Sequence, residues 1–326
     1  MQQIEPLLLS RADIEAAAMP PREVIAIIED TYRAAGNGGA EVPTKIGVHP
    51  GFQNSFLHAM PAWVPSRRAL GMKWISYYPG NAARGFPDAA GVVVLNDPEH
   101  GLPVAILEAM WITYARTAAC AAVMAKHFAR PDPRRLGLVG CGGLARWTLP
   151  MLTEVFPTIR DVSVVSRTPA SRESFVREMG ERGPWRIKPE SDLRRAVDGM
   201  DIIVSSIPRP PKPVLSGAWW SEGALAVALD VVGAWDQAAL SSADRLVTDD
   251  YDGLRSRAAA LNVALTLPER HSDIGRVVAG KEGGRASISE RVMAAPTGVA
   301  SMDVALGRML FERARDLGLG RRFTFA

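Results

Sequence analysis

Leu136-Gly137-Leu138-Val139-Gly140-Cys141-Gly142-Gly143-Leu144-Ala145 is the stretch on which the fold turns. Its first four residues read as a short apolar strand. The glycines impose a tight turn, and Leu144 to Val155 then carries apolar residues at helical spacing. Strand, G-x-G-x-x-A turn and helix in that order are what a pyrophosphate-binding βαβ unit requires. Gly140 permits the turn. Gly142 removes a side chain from the path of a phosphate, and Ala145 is small enough for the helix to lie close on its strand. Phosphates would meet the unpaired N–H groups of Gly143 and Leu144, where the helix dipole is positive.

Working outward, Val162–Val165 is the next strand, Ser171–Gly180 a helix, and Asp201–Ser206, Ala224–Val231 and Arg245–Thr248 further strands. Apolar strands alternating with helical patterns predict a doubly wound parallel sheet, an α/β Rossmann-type domain. A dinucleotide is therefore the expected cofactor, contacted also by Ser205, Ser206 and Ile207 at one strand tip and by Val232 at another. The second strand bears on which one. NAD sites usually end it in an acid for the ribose 2′-hydroxyl. Here Ser166-Arg167-Thr168 follows instead. Arg167 can pair with a 2′-phosphate and the two hydroxyls can donate to it, so NADP(H) is favoured and NAD(H) is the alternative.

Upstream the pattern differs. Pro6–Leu9 reads as a strand and Pro21–Ala35 as an amphipathic helix. Residues 42–110 form a run of short apolar segments punctuated by Gly, Pro and Asn, the mark of antiparallel strands. A long Ala-rich helix, Thr113–Phe128, leads to the Pro131-Asp132-Pro133 linker, and Met302–Leu317 is a last helix. The 326 residues exceed one core, and we expect two domains. These are a second, α+β domain over 1–127 with 300–326, and the Rossmann domain over 128–299.

Composition excludes several classes. The charge of +3 comes from scattered Arg, without the concentrated basic face of a nucleic-acid binder. No run approaches the roughly 18 apolar residues of a membrane span, and the first residues lack a basic leader and apolar core. Cys120 and Cys141 stand far apart in apolar surroundings, which predicts free thiols and a reducing, cytoplasmic setting. The five histidines have no metal-ligand spacing, so no metal is expected.

Two upstream segments look chemical. In Gly71-Met72-Lys73-Trp74-Ile75 a lysine sits inside an apolar strand, where its ammonium needs a partner or a task. It could bind a carboxylate or exchange protons with a C–N centre. In Thr113-x-x-Arg116-Thr117-Ala118-Ala119, Arg116 is placed to fork onto a carboxylate, and Thr117 adds a hydroxyl near cofactor or substrate.

Together these segments resemble the ornithine cyclodeaminase/μ-crystallin family over most of the chain. The resemblance rests on Met60-Pro61-Ala62, Gly71-Met72-Lys73, Pro79-x-Asn81, Leu95-Asn96-Asp97, Gly101-x-Pro103, the Arg116-Thr117-Ala118-Ala119 block, the glycine loop and Gly298-x-Ala300-x-x-Asp303. It implies a homodimer with a substrate and dimerisation domain, a Rossmann domain, and chemistry on the C–N bond of α-amino or α-imino acids with NAD(P). Lys73 matches the family's catalytic lysine and Arg116 its carboxylate-binding arginine. Lys45 falls where a second arginine is common. The chain departs from cyclodeaminases in two places. His58 stands where they carry Glu, and Val232-Gly233-Ala234 is followed by Trp235 where they carry an acid. Asp230 and Asp236 are nearby substitutes, of which Asp230 is the better placed, at a strand tip. The leading expectation is thus an imine reductase or amino-acid dehydrogenase, with Lys73 and Asp230 catalytic and Lys45, His58 and Arg116 binding substrate. The alternatives are an ornithine or lysine cyclodeaminase with bound NAD, and a non-catalytic small-ligand binding protein.

Overall fold

The computed structural model describes residues 4–52, 54–260, 266–268 and 270–325. Two compact units emerge, Met1–Arg116 with Val299–Ala326, and Thr117–Gly298. The division falls inside the helix Ala109–Phe128.

The first unit is built on a mixed sheet of β1 (Leu7–Leu9), β2 (Ile46–Val48), β3 (Phe56–Val64), β4 (Ala69–Tyr77), β5 (Ala89–Asn96) and β6 (Pro103–Glu108). Their spatial order is β1-β6-β5-β4-β3-β2, with the terminal strand Arg321–Arg322 outside β1. Every pair from β2 to β6 is antiparallel, as the punctuation of residues 42–110 predicts, and only β1 joins β6 in parallel. The β5–β6 turn shows how sequence sets register. Asp97 Oδ1 accepts from the amides of Glu99 (2.8 Å) and His100 (3.0 Å), and the Asp97 amide donates to the Leu102 carbonyl (2.8 Å).

Cross-strand partners share a face, so the register sorts the sheet into two sides. Met60, Lys73, Val93 and Leu107 stand in one row on the inner face. The helix Ala300–Asp316 packs across β3 to β6 on that side. Gly307 makes the approach close, since a Cβ there would lie 3.3 Å from Val93 Cγ1 and 3.7 Å from Ile112 Cδ1. The amphipathic helix Pro21–Gly36 packs on Ala300–Asp316 in turn, burying Val24, Ile25, Ile27, Ile28 and Tyr32.

The second unit is an eight-stranded, wholly parallel sheet of β7 (Arg135–Val139), β8 (Asp161–Val165), β9 (Arg186–Glu190), β10 (Ile202–Ser205), β11 (Leu225–Ala228), β12 (Arg245–Thr248), β13 (His271–Asp273) and β14 (Val292–Ala295). The order is β13-β12-β14-β11-β10-β7-β8-β9. From β7 the chain first builds outward to β8 and β9, then returns to lay β10 and β11 on the other side of β7. That reversal is the switch point at which α/β sheets bind ligands. The expected α/β doubly wound fold is therefore present, with β9, β13 and β14 added to the strands legible in the sequence.

Candidate active site

The inner face of the first unit holds three buried charges. Lys73 on β4 is 1% exposed, Arg116 8% and Asp303, in the first turn of Ala300–Asp316, 0%. A single oxygen, Asp303 Oδ1, takes both cations: Lys73 Nζ at 2.6 Å and Arg116 Nε at 3.0 Å. Asp303 Oδ2 is buried with no hydrogen-bond partner among the described residues. Two cations thus share one carboxylate oxygen. Burial, then the Arg116 guanidinium, push the Lys73 pKa down to about 7 against the pull of Asp303, and Lys45 adds to the depression. An amine that titrates there can give or take a proton near neutrality.

Lys45 lies half-buried just before β2. His58 on β3 stacks on Phe56 with centroids 4.1 Å apart, and its ring fills the space a side chain at Gly47 would need. Lys45, Lys73, Arg116 and Asp303 thus form one electrostatic group, which Asp303 organises. The sequence reading did not assign Asp303 a role, although the run Ala300-Ser301-Met302-Asp303-Val304-Ala305 carried a signal. An acid inside an apolar helical run needs a buried cation.

In the second unit the glycine loop has the predicted geometry. Gly140 has φ +117°, and a Cβ there would meet the Ser206 carbonyl at 2.9 Å. Gly142 is the N-cap of the helix Gly143–Val155, and a Cβ on it would meet nothing within 4 Å. Ala145 is buried, while Gly143 and Leu144 open the helix half-exposed. These features suit a pyrophosphate on the helix N-terminus. At the tip of β8, Arg167 is exposed. Thr168 is the N-cap of the helix Pro169–Gly180, accepting from the Ser171 amide at 3.3 Å, and the Ser166 carbonyl accepts from Arg172 at 2.6 Å. Thr117 is half-buried in Ala109–Phe128, one residue beyond Arg116. Ser206 and Ile207 are half-buried beyond β10. Ser205 and Val232 are fully buried in the core, the Ser205 hydroxyl accepting from Trp235 Nε1 at 3.0 Å.

The two candidate acids separate cleanly. Asp236 is structural. It is the N-cap of the helix Gln237–Ser242, and its Oδ1 accepts from the amides of Ala239 (2.8 Å) and Gly217 (2.9 Å). Asp230 follows β11, and both its carboxylate oxygens are buried with no hydrogen-bond partner among the described residues. Burial pushes its pKa up to about 7, with Ser205 and the nearby backbone pulling against it. Next to it Val231 and Val232 have φ +57° and +56°, a left-handed conformation that costs a branched residue about 1 kcal/mol or more. A carboxyl whose folded pKa is raised contributes stability at low pH that is lost as pH rises toward 7. Asp230→Asn is therefore expected to melt near wild type at pH 4 and several degrees higher at pH 8, a difference on the order of a few kcal/mol. Parallel melting curves at both pH values would refute this.

Comparison with known proteins follows the same lines. The model of the ornithine cyclodeaminase/mu-crystallin family matches residues 4–318. The chain belongs to this family. It is 34% identical to a nodulation efficiency protein of Rhizobium meliloti over 96% of both chains. Thermococcus litoralis Δ1-pyrroline-2-carboxylate reductase, solved with NADH and L-proline, is 28% identical, covering 97% of this chain and 99% of that one with a TM-score of 0.88. An archaeal alanine dehydrogenase dimer with bound NAD is 28% identical, covering 99% and 100% with a TM-score of 0.89. Trp235, after Val232-Gly233-Ala234, is fully buried, its ring centroid 5.8 Å from that of Trp220. Among the described residues no group of three or more His, Cys, Asp or Glu could hold a metal ion, and no helix is long and apolar enough to cross a membrane.

Proposed function

We propose that this chain is an NAD(P)H-dependent oxidoreductase that reduces the C=N bond of an α-imino acid to the α-amino acid, or runs the reverse oxidation. One observation carries the reading: a buried cluster in which two cations share one carboxylate oxygen, one of them an amine whose pKa is lowered to about 7. Arg116 and Lys45 hold the substrate carboxylate, and His58 lines the pocket. Lys73 delivers a proton to the substrate nitrogen, and Asp230 is a second group able to hold a proton at neutral pH. The first unit is thus the substrate domain and the second the dinucleotide domain. There Gly140, Gly142 and the amides at Gly143 and Leu144 hold the pyrophosphate, with Thr117, Ser206 and Ile207 as further contacts. The bound nicotinamide supplies the hydride.

NADP(H) is the favoured cofactor because Arg167 is exposed where a 2′-phosphate would lie. NAD(H) is the alternative, as the related structures were solved with NADH and NAD. The test follows NADPH and NADH oxidation against cyclic imines, and against keto acids with ammonia or methylamine. One imino acid should drive rapid oxidation, with NADPH preferred, and Arg167→Ala should erase that preference by about tenfold. No oxidation with any substrate overturns the reading. The Asp230 carboxylate, buried without a hydrogen-bond partner among the described residues, favours a second reading, a cyclodeaminase, which proline formed from ornithine without net cofactor turnover would establish.

The outer face of the first sheet supports a homodimer. Ile46, Ala59, Trp74 and Val92 form one apolar row, with Trp63, Leu70 and Met72 beside it, and Ile46 and Trp74 are 69% and 42% exposed. A second copy of this chain is the occupant. Light scattering should give twice the 35.2 kDa chain mass, and Trp74→Lys should halve it. A monomeric wild type refutes the dimer. The buried free thiols Cys120 and Cys141 fit a cytoplasmic setting.

A further inference from the structure

Asp303 lies where no glycine loop, lysine motif or arginine motif would direct attention, yet both cations of the site meet on one of its atoms. Its Oδ1 receives Lys73 Nζ and Arg116 Nε, and its Oδ2 has no hydrogen-bond partner among the described residues. Among the described residues its polar contacts are therefore to those two cations. Stapling the helix to the sheet with buried charge would be a poor use of an acid. A buried ion pair gives stability no better than apolar groups of the same volume.

We propose that Asp303 is a positioning residue that couples the two ends of the site: a ligand carboxylate taken up by Arg116 releases the shared oxygen to Lys73 and strengthens the hold of Lys73 on its proton. The inference rests on the imino-acid reading above. The physical basis is competition for one acceptor. With the cluster unliganded, Oδ1 divides its charge between ammonium and guanidinium. A carboxylate on Arg116 offers the guanidinium another anion besides Asp303. It also cancels the repulsion that Arg116 and Lys45 exert on the ammonium, and both changes favour protonated Lys73. By reciprocity, protonated Lys73 tightens carboxylate binding by the same factor. The acid is thus loaded when substrate arrives. Among the described residues the charged groups that act on Lys73 are Asp303 from the helix, Arg116 from Ala109–Phe128 and Lys45 before β2. His58 stands on the same face of β3, two residues from Met60, the β3 partner of Lys73, and the β5 partner of Lys73 is Val93.

The test is the pH profile of imino-acid reduction by wild type, Asp303→Asn and Asp303→Glu, with melting curves. Removing the anion should move the alkaline fall in kcat/KM to lower pH by about one unit or more, and Glu should restore it to within about half a unit. A staple alone would lower the melting temperature and the rate and leave the midpoint where it was, which overturns the proposal. If Asp303→Asn does not fold, calorimetry on wild type decides. The probe is tetrahydrofuran-2-carboxylate, which has no ionising nitrogen, in two buffers of different ionisation enthalpy. Binding should take up part of a proton at pH 8 and none at pH 6; equal uptake, or none, refutes the coupling. Wild type that neither turns over an imino acid nor binds the probe fails earlier, on the function itself, and the coupling falls with it.

Discussion

Lys73→Met is expected to lower imino-acid reduction by roughly 10²–10⁴-fold, the span typical of a lost general acid, in a protein that still folds. Lys73 is fully buried on β4, and methionine offers an unbranched apolar chain of similar reach in its place. The change leaves Asp303 paired with Arg116 at 3.0 Å, so no lone charge is stranded in the interior. The pH dependence carries the assignment. With a pKa lowered to about 7, Lys73 is protonated below that value and neutral above it. Wild-type reduction should fall as pH rises through 7, oxidation of the amino acid should rise, and the residual rate of the variant should lose this Lys73-dependent limb. Stability gives a second sign. A lysine that is less basic in the folded state contributes stability that grows from pH 7 to its unfolded value of 10.5, and methionine removes that slope. Steady-state rates at saturating cofactor, with melts from pH 6 to 9, check both. An unchanged rate rules Lys73 out as the proton donor.

Gly142→Asp is expected to weaken dinucleotide binding on the order of a hundredfold while leaving the fold as stable as before, or slightly more so. The two halves of this prediction come from different properties of one position. Gly142 is an N-cap with φ −81° and ψ −168°, a conformation any residue adopts, and a side chain there meets nothing within 4 Å. Aspartate is among the best N-caps and gains from the helix dipole. The same carboxylate would occupy the approach of a pyrophosphate and repel it. Fluorescence titration with NADPH beside a thermal melt separates the outcomes. Retained affinity would show that the loop holds no phosphate. Gly140 is no substitute for this test, because at φ +117° any side chain is strained.

Much of the second unit is legible in the sequence, because β7, β8, β10, β11 and β12 are apolar segments closed by turn residues. The strands that escape reading do so for physical reasons. β9 is Arg186-Ile187-Lys188-Pro189-Glu190, an edge strand whose polar residues and proline erase the apolar signature, and β13 is only His271-Ser272-Asp273. At the candidate site, Lys73 and Arg116 are conspicuous as cations in apolar segments. Asp303 shows locally only as an acid in an apolar helical run; its partners, Lys73 on β4 and Arg116 on the helix Ala109–Phe128, lie far away in the chain, Arg116 by 187 residues. The choice between Asp230 and Asp236 also needs three dimensions. One caps a helix and the other does not.

The first unit is assembled from two separate segments, residues 1–116 and 299–326, and this bears on how the protein is made. A ribosome releases β1 to β6 early, and the helix that covers their inner face, Ala300–Asp316, only after the whole second unit has emerged. Until then Lys73 and Arg116 lack the Asp303 carboxylate, and the inner face of the sheet lacks the helix that packs across it. The nascent chain therefore carries an apolar, positively charged surface through most of its synthesis, a natural client for a chaperone. The same order means that Lys73 and Arg116 meet Asp303 only once the last helix docks.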